Sequence, residues 1–199
     1  MIPPVITIEA EDASALLFQT LGGHRTAMMA LRPRRAPRLP SGTTPNVEQI
    51  QCQATLVRLL SITESFSSQL LLREVDKAAI RARSASIDRV WDDAAIRGTS
   101  SWYEQRDAYA NWLGIKHDWK VVEGLAEARN AVAHGLGTLT RRQLRKEDSV
   151  RRKLQQAGIT LAGIRIVLSD AALASAASDC RDLIHRLDLA VQSRPSQYR

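Results

Sequence analysis

Hydrophobic residues recur at three- and four-residue spacing along this chain, at Leu56, Leu59, Ile62, Phe66 and Leu70 and again at Leu173, Ala176, Cys180, Leu183, Leu187 and Val191. That is the period of an α-helix that buries one stripe and leaves the rest to water. Start signals accompany it. Asn46 with Gln49, Ser101 with Glu104 and Thr140 with Gln143 fit the capping-box spacing, in which two polar side chains satisfy free amides at a helix start. Asp118 and Ser169 fit as simple N-caps. These marks predict about five helices after residue 46. Two short β-branched runs around Gly163, between Ile159 and Leu168, predict a small hairpin before the last helix. The expected class is all-α, a helical bundle with one hairpin inserted.

Proline sharpens the division of the chain. Pro3, Pro4, Pro33, Pro37, Pro40 and Pro45 fall early, and only Pro195 occurs later. An interior proline costs a helix ~3 kcal/mol, so the proline-free stretch suits a bundle. We therefore expect an N-terminal arm and Pro/Arg-rich linker over 1–45, a helical domain over 46–194 and a tail over 195–199. Within the arm, Val5 to Ile8 predicts a short strand, and Asp12 to Leu21, closed by Gly22-Gly23, a short helix. The run Arg32 to Gly42 predicts an extended basic linker. Such an arm is expected to dock weakly or on a partner.

Composition narrows the class further. A chain of 199 residues with 44% hydrophobic content suits one domain with a real core. Cys52 and Cys180 are the only cysteines, too few for a disulfide framework or a zinc site. No apolar run approaches membrane-spanning length, and the N-terminus lacks a signal-peptide pattern. The expected setting is the cytoplasm, with no membrane attachment.

One segment names a chemistry: Arg129-Asn130-Ala131-Val132-Ala133-His134-Gly135. Asn130 and His134 stand one helical turn apart, with Arg129 beside Asn130, so the three share one half of a helix surface. Gly135 is expected to be the left-handed stop after the last turn. Charge adds to this. The formal balance is +7, and the helix expected after the motif carries Arg141, Arg142, Arg145, Lys146, Arg151, Arg152 and Lys153 against Glu147 and Asp148. Such a helix attracts a polyanion, and arginine planes stack on unpaired bases; equally, it is a solvated helix face.

Other candidates carry less. His185 follows Arg181 by four and is expected to be a partly buried or surface histidine. Trp102, Tyr103, Tyr109, Trp112 and Trp119 are expected mostly in the core, although aromatic rings also stack bases. His117-Asp118 is expected as a helix cap rather than a catalytic dyad. Asp92-Asp93 lacks further ligands at metal spacing. No glycine loop of the phosphate-cradling kind is present, and no metal or cofactor is expected.

Arg-Asn-x-x-x-His at the end of a helix, continued as His134-Gly135-Leu136-Gly137-Thr138-Leu139-Thr140, resembles the signature of the HEPN superfamily, most closely its RiboL-PSP-HEPN-like branch. Glu64-Ser65-Phe66, Ser101-Trp102, Leu113-Gly114-Ile115 and Ile164 to Ser169 add to the resemblance, which covers about residues 46 to 194. It implies a HEPN-like bundle and a homodimer in contact through the motif helix. It also implies a role in toxin–antitoxin or other defence systems, beside an antitoxin or sensor protein. HEPN toxins controlled by nucleotidyltransferase antitoxins carry Tyr two residues after the His; here that position is Leu136, which puts such modification in doubt.

RNA carries its own nucleophile, the 2′-hydroxyl, so its cleavage needs a base, a cation for the phosphate and alignment. His134, Arg129 and Asn130 supply these in turn. The expected activity is a metal-independent endoribonuclease that leaves 2′,3′-cyclic phosphate and 5′-hydroxyl ends, with Arg141, Arg142, Arg145 and Lys146 binding RNA. The alternative is an inactive HEPN-like module that binds RNA or a protein. A helical DNA-binding regulator fits the charge but lacks a helix-turn-helix pattern.

Overall fold

A computed structural model of the chain describes residues 5–31, 46–82 and 85–194, with 78–82 and 85–88 as backbone alone. Among the described residues, eight helices and a two-stranded antiparallel sheet follow in the order α1 (Ile8–Leu31), α2 (Val47–Ala82), α3 (Ala85–Gly98), α4 (Trp102–Leu113), α5 (Lys120–Gly135), α6 (Arg141–Leu144), α7 (Glu147–Gln156), β1 (Thr160–Ala162), β2 (Arg165–Val167) and α8 (Asp170–Gln192). The chain is mostly helical, and the hairpin precedes the last helix as expected. It divides into two compact units. The first comprises Met1–Ser14, Ile62–Trp119 and Arg181–Arg199, the second Ala15–Ser61 and Lys120–Cys180. Residues of α1, α2 and α8 belong to both.

The N-terminal segment departs from its expected form. Val5 to Thr7 form no strand, and a single helix runs through Gly22-Gly23 to Leu31. Thr7 starts it: its Oγ1 accepts from the Ala10 amide at 3.3 Å and its carbonyl from the Glu11 amide at 3.0 Å. Two interior glycines cost ~2 kcal/mol together, but Leu17, Leu21 and His24 on either side are buried, and burying one leucine alone returns about that much. The helix is thus tied to the rest of the chain rather than weakly docked. The expected linker over Arg32 to Gly42 and the tail over 195–199 lie outside the described residues.

In the first unit, the fully buried carboxylate of Asp188 receives the Thr7 amide at 2.8 Å, the Thr7 hydroxyl at 2.9 Å and Gln192 Nε2 at 2.8 Å. The Ser14 hydroxyl and His185 Nε2 lie 3.0 Å apart, while Ser14 donates its proton to the Ala10 carbonyl at 2.7 Å. His185 then has to be the donor to Ser14, a packing bond and not a nucleophile–base pair. Trp102 and Tyr109 pack against Trp119 with ring centroids 6.1 and 5.8 Å away. The Tyr109 hydroxyl donates to the Ser67 carbonyl at 2.8 Å, and burial pushes this phenol well above its usual range. These three aromatics are core, as expected; Tyr103 is exposed beside Arg106, and Trp112 is partly exposed.

In the second unit, Gln49 clamps the exit of the hairpin to α2, donating to the Leu168 carbonyl at 2.7 Å and accepting from its amide at 3.0 Å. His24 Nδ1 meets the Thr55 hydroxyl at 3.0 Å in the core. Cys52 is buried, which raises its thiol pKa, with Asp170 and Glu48 adding to the effect. Helices α5 and α7 approach closely at Gly124, where any Cβ would run into the Lys153 carbonyl oxygen. The basic stretch after the motif is two helices rather than the single one expected. Residues 145 and 146 form a turn, and Glu147 and Asp148 then open α7, where acidic residues suit the positive end of a helix.

Candidate functional site

Helix α5 is rich in alanine and buries Val122, Gly124, Leu125, Ala126, Ala128 and Ala131. Burial stops there. Arg129, Asn130 and Val132 are half-buried, and Ala133 and His134 are exposed. The motif thus lies on the open part of the last turns. The Arg129 guanidinium donates through Nη1 to Asn130 Oδ1 at 3.3 Å, so two of the three polar groups are in contact. His134, one turn beyond Asn130, has no side-chain hydrogen bond or ion pair among the described residues. Its imidazole faces water with both nitrogens available to a ligand.

The helix does not stop at Gly135, which is still helical. Leu136 and Gly137 take the left-handed conformation, with φ of 51° and 85°. The φ of Gly137 is one that L side chains rarely adopt, and the Gln53 side chain from α2 lies against the space a Cβ would fill. The turn is held from several directions. The Gly137 amide donates to the Ala131 carbonyl at 3.1 Å, and Thr138 donates to the Gly135 carbonyl through its amide at 2.9 Å and its hydroxyl at 2.6 Å. On the far side, the Leu139 amide donates to the Ile164 carbonyl and the Ile166 amide to the Gly137 carbonyl, both at 2.8 Å. The hairpin therefore braces the segment that follows His134.

This bracing returns the chain to the motif helix. Thr140 abuts Gly135 and caps α6: its Oγ1 accepts from the Gln143 amide at 3.3 Å, while Gln143 Oε1 accepts from the Thr140 amide at 3.0 Å. Gln143, buried, also donates through Nε2 to the carbonyl and carboxylate of Glu127, each at 2.8 Å. The α6 start is thereby fastened to α5 one turn before Asn130. Arg141, Arg142, Arg145 and Lys146 follow, all exposed and with no ion pair among the described residues. Arg151 and Lys153 are engaged instead, the first with Glu147 and the Gly163 carbonyl, the second with Glu123.

Of the lesser candidates, Asp92 and Asp93 are exposed. Asp118 stands two residues before the first residue of α5, outside the N-cap position expected for it. Among the described residues, no group of three or more His, Cys, Asp or Glu could hold a metal ion, and no helix is long and apolar enough to cross a membrane. The sequence reading missed a cleft in the first unit, lined by Trp112, Lys116, His117 and the end of α8. Its walls come from segments far apart in the chain, and no local pattern announces them. Comparison of the chain with protein-family models, with curated proteins and with solved structures finds no match in any of the three.

Proposed function

We propose that the protein is a metal-independent endoribonuclease of the HEPN type. The observation that carries this reading is the open end of α5, where a hydrogen-bonded Arg129–Asn130 pair stands one turn from an exposed imidazole at His134. The four exposed cations at 141, 142, 145 and 146, which have no ion pair among the described residues, begin within a few residues of it. They supply the salt-dependent attraction that an RNA strand needs.

In this reading Arg129 holds the scissile phosphate and Asn130 orients the ribose or the imidazole. His134 takes the proton from the 2′-hydroxyl as O2′ attacks phosphorus. The P–O5′ bond breaks, leaving a 2′,3′-cyclic phosphate, and the departing 5′-oxygen needs a proton. One histidine that has just accepted a proton cannot serve as acid in the same event. A second copy of the chain, related by two-fold symmetry and meeting the first through α5, supplies the other imidazole. A cytoplasmic toxin or defence effector, restrained by an antitoxin or sensor protein, is the role that suits such an activity.

The test is incubation of the purified protein with labelled tRNA and mRNA in EDTA, with His134→Ala and Arg129→Ala alongside and the fragment ends identified. Cyclic-phosphate ends from the unaltered protein alone support the nuclease. Binding without cleavage, or equal cleavage by the variants, removes the catalytic roles and leaves an inactive module that binds RNA or a protein partner.

A further inference from the structure

The cleft in the first unit is open to solvent and has a volume of about 520 Å³, within the range of small-molecule sites. It is built where two helices end. Helix α4 stops at Leu113, Gly114 turns left-handed with φ of 68°, and the amides of Gly114 and Ile115 both return to the Tyr109 carbonyl. Ile115 is buried and anchors the turn, which sets Lys116 and His117 on the cleft wall. Ser193 and Arg194, at the end of α8, complete the polar lining.

Trp112 is the unusual member. It is 37% exposed, while Trp102 and Trp119 are buried. Its indole is nevertheless held: a Cβ on Gly98 would lie 2.5 Å from Cη2 and 2.8 Å from Cζ3 of the ring. Gly98 is not in a left-handed conformation, so it is glycine here for the space the ring occupies. A large aromatic ring is thus packed against Gly98 and still partly exposed, as a stacking platform has to be.

The polar groups suit the rest of one ligand class. Lys116 is exposed and has no ion pair among the described residues. Arg194 is ion-paired with Glu74, 3.5 Å from Nη1 to Oε2, a separation that leaves the guanidinium other donors for a phosphate. His117 adds a half-buried imidazole to the wall. The last carbonyls of two helices accept hydrogen bonds from donors that come close. We infer that this cleft is a nucleotide site, in which a base stacks on Trp112 and meets helix-end carbonyls through its amino edge, while the phosphate lies on Lys116 and Arg194. The same helix ends oppose a phosphate through their dipoles, so the two cations decide whether it binds. The inference does not rest on the nuclease reading and holds even if the motif is inert.

A free nucleotide and the terminal nucleotide of an RNA present the same chemistry, so both are used as probes. AMP, adenosine and 5′-phosphorylated oligo(A) are titrated into the full-length protein and its variants by isothermal titration calorimetry, which gives the affinities, while tryptophan fluorescence is followed in the unaltered protein. AMP should quench saturably. Trp112→Leu should weaken it about tenfold, with Trp112→Phe recovering part of the loss, as the loss of one stacked base predicts. Lys116→Glu should weaken AMP by a similar factor and leave adenosine unchanged. Gly98→Ala, which touches no ligand, should weaken AMP by displacing the indole, provided circular dichroism shows the fold intact. Tighter binding of the oligonucleotide marks RNA as the source, tighter AMP the free nucleotide, and either supports the site. No saturable quenching, equal affinity in Trp112→Leu, or indifference to Lys116→Glu overturns it.

Discussion

The two halves of α5 are built to opposite requirements. From Val122 to Ala128 nearly every position is buried, and at Gly124 the backbone of α7 comes so close that no side chain fits between them. From Arg129 onward the helix opens, His134 stands in water, and Leu136 is 89% exposed in a conformation that leucine rarely adopts. The first half satisfies sterics and the second holds polar groups and strain in place. A half that contributes little to stability is available for chemistry only if its neighbour holds it rigidly.

The contrast is broken most severely from the packed side. Gly124→Leu forces a branched side chain against the Lys153 carbonyl oxygen, which belongs to backbone and cannot swing aside. We expect a loss of about 3 kcal/mol or more, read as a lower urea midpoint, with α7 released from α5. An unchanged midpoint would mean that the two helices are free to move apart.

Gln143→Leu tests the clasp between the halves. Its amide holds Thr140 on one side and Glu127 on the other, all from a buried position. Removing it leaves those partners short of a hydrogen bond and takes away half of a capping box, which predicts a loss of about 2 kcal/mol. Amide hydrogen exchange should rise at residues 140–144 first. If protection there is unaffected, the cap does not depend on this side chain.

Leu136→Gly should act in the opposite direction. A non-glycine residue in the left-handed region costs roughly 1–2 kcal/mol, and almost no buried surface is lost with an exposed side chain. The greater freedom of glycine in the unfolded chain takes back part of the gain, leaving a net increase of about 0.5–1 kcal/mol. A fall in melting temperature would show that Leu136 makes contacts that outweigh its strain.

These positions also separate what the sequence could disclose from what it could not. The capping residues Asn46, Ser101, Thr140 and Ser169 stand where helices begin, and the hairpin turns at Gly163, because such signals are local and act within four residues. The spacing of Arg129, Asn130 and His134 was likewise legible, since a helix turns the same way whatever surrounds it. Gly22-Gly23 misled because burial of Leu17, Leu21 and His24 outweighs local propensity, and that burial is decided by distant helices. The stop at Gly135 moved to Leu136-Gly137 for a similar reason: the hairpin, distant in sequence, holds residues 137–139 through the Ile164 carbonyl and the Ile166 amide. The break after Leu144 did have a local sign in Glu147-Asp148, two acids after a basic run, which suits a fresh helix start. The Trp112 cleft had none, because Lys116 and Arg194 come to line it together only in three dimensions.

The smallest expected effect on stability is also the most informative. His134 makes no described side-chain bond and is exposed, so His134→Ala removes no packing, and alanine is the better helix former by a few tenths of a kcal/mol. We expect the melting temperature to stay within the equivalent of about 0.5 kcal/mol of the unaltered protein. If the proposed nuclease reading holds, RNA cleavage, in contrast, is lost, with RNA binding through Arg141, Arg142, Arg145 and Lys146 retained at the same salt dependence. That combination separates a residue kept for chemistry from one kept for structure. A destabilisation above about 1 kcal/mol would place His134 with Gly124, among the residues that hold α5, and its exposure would then reflect an interface that the single chain leaves open.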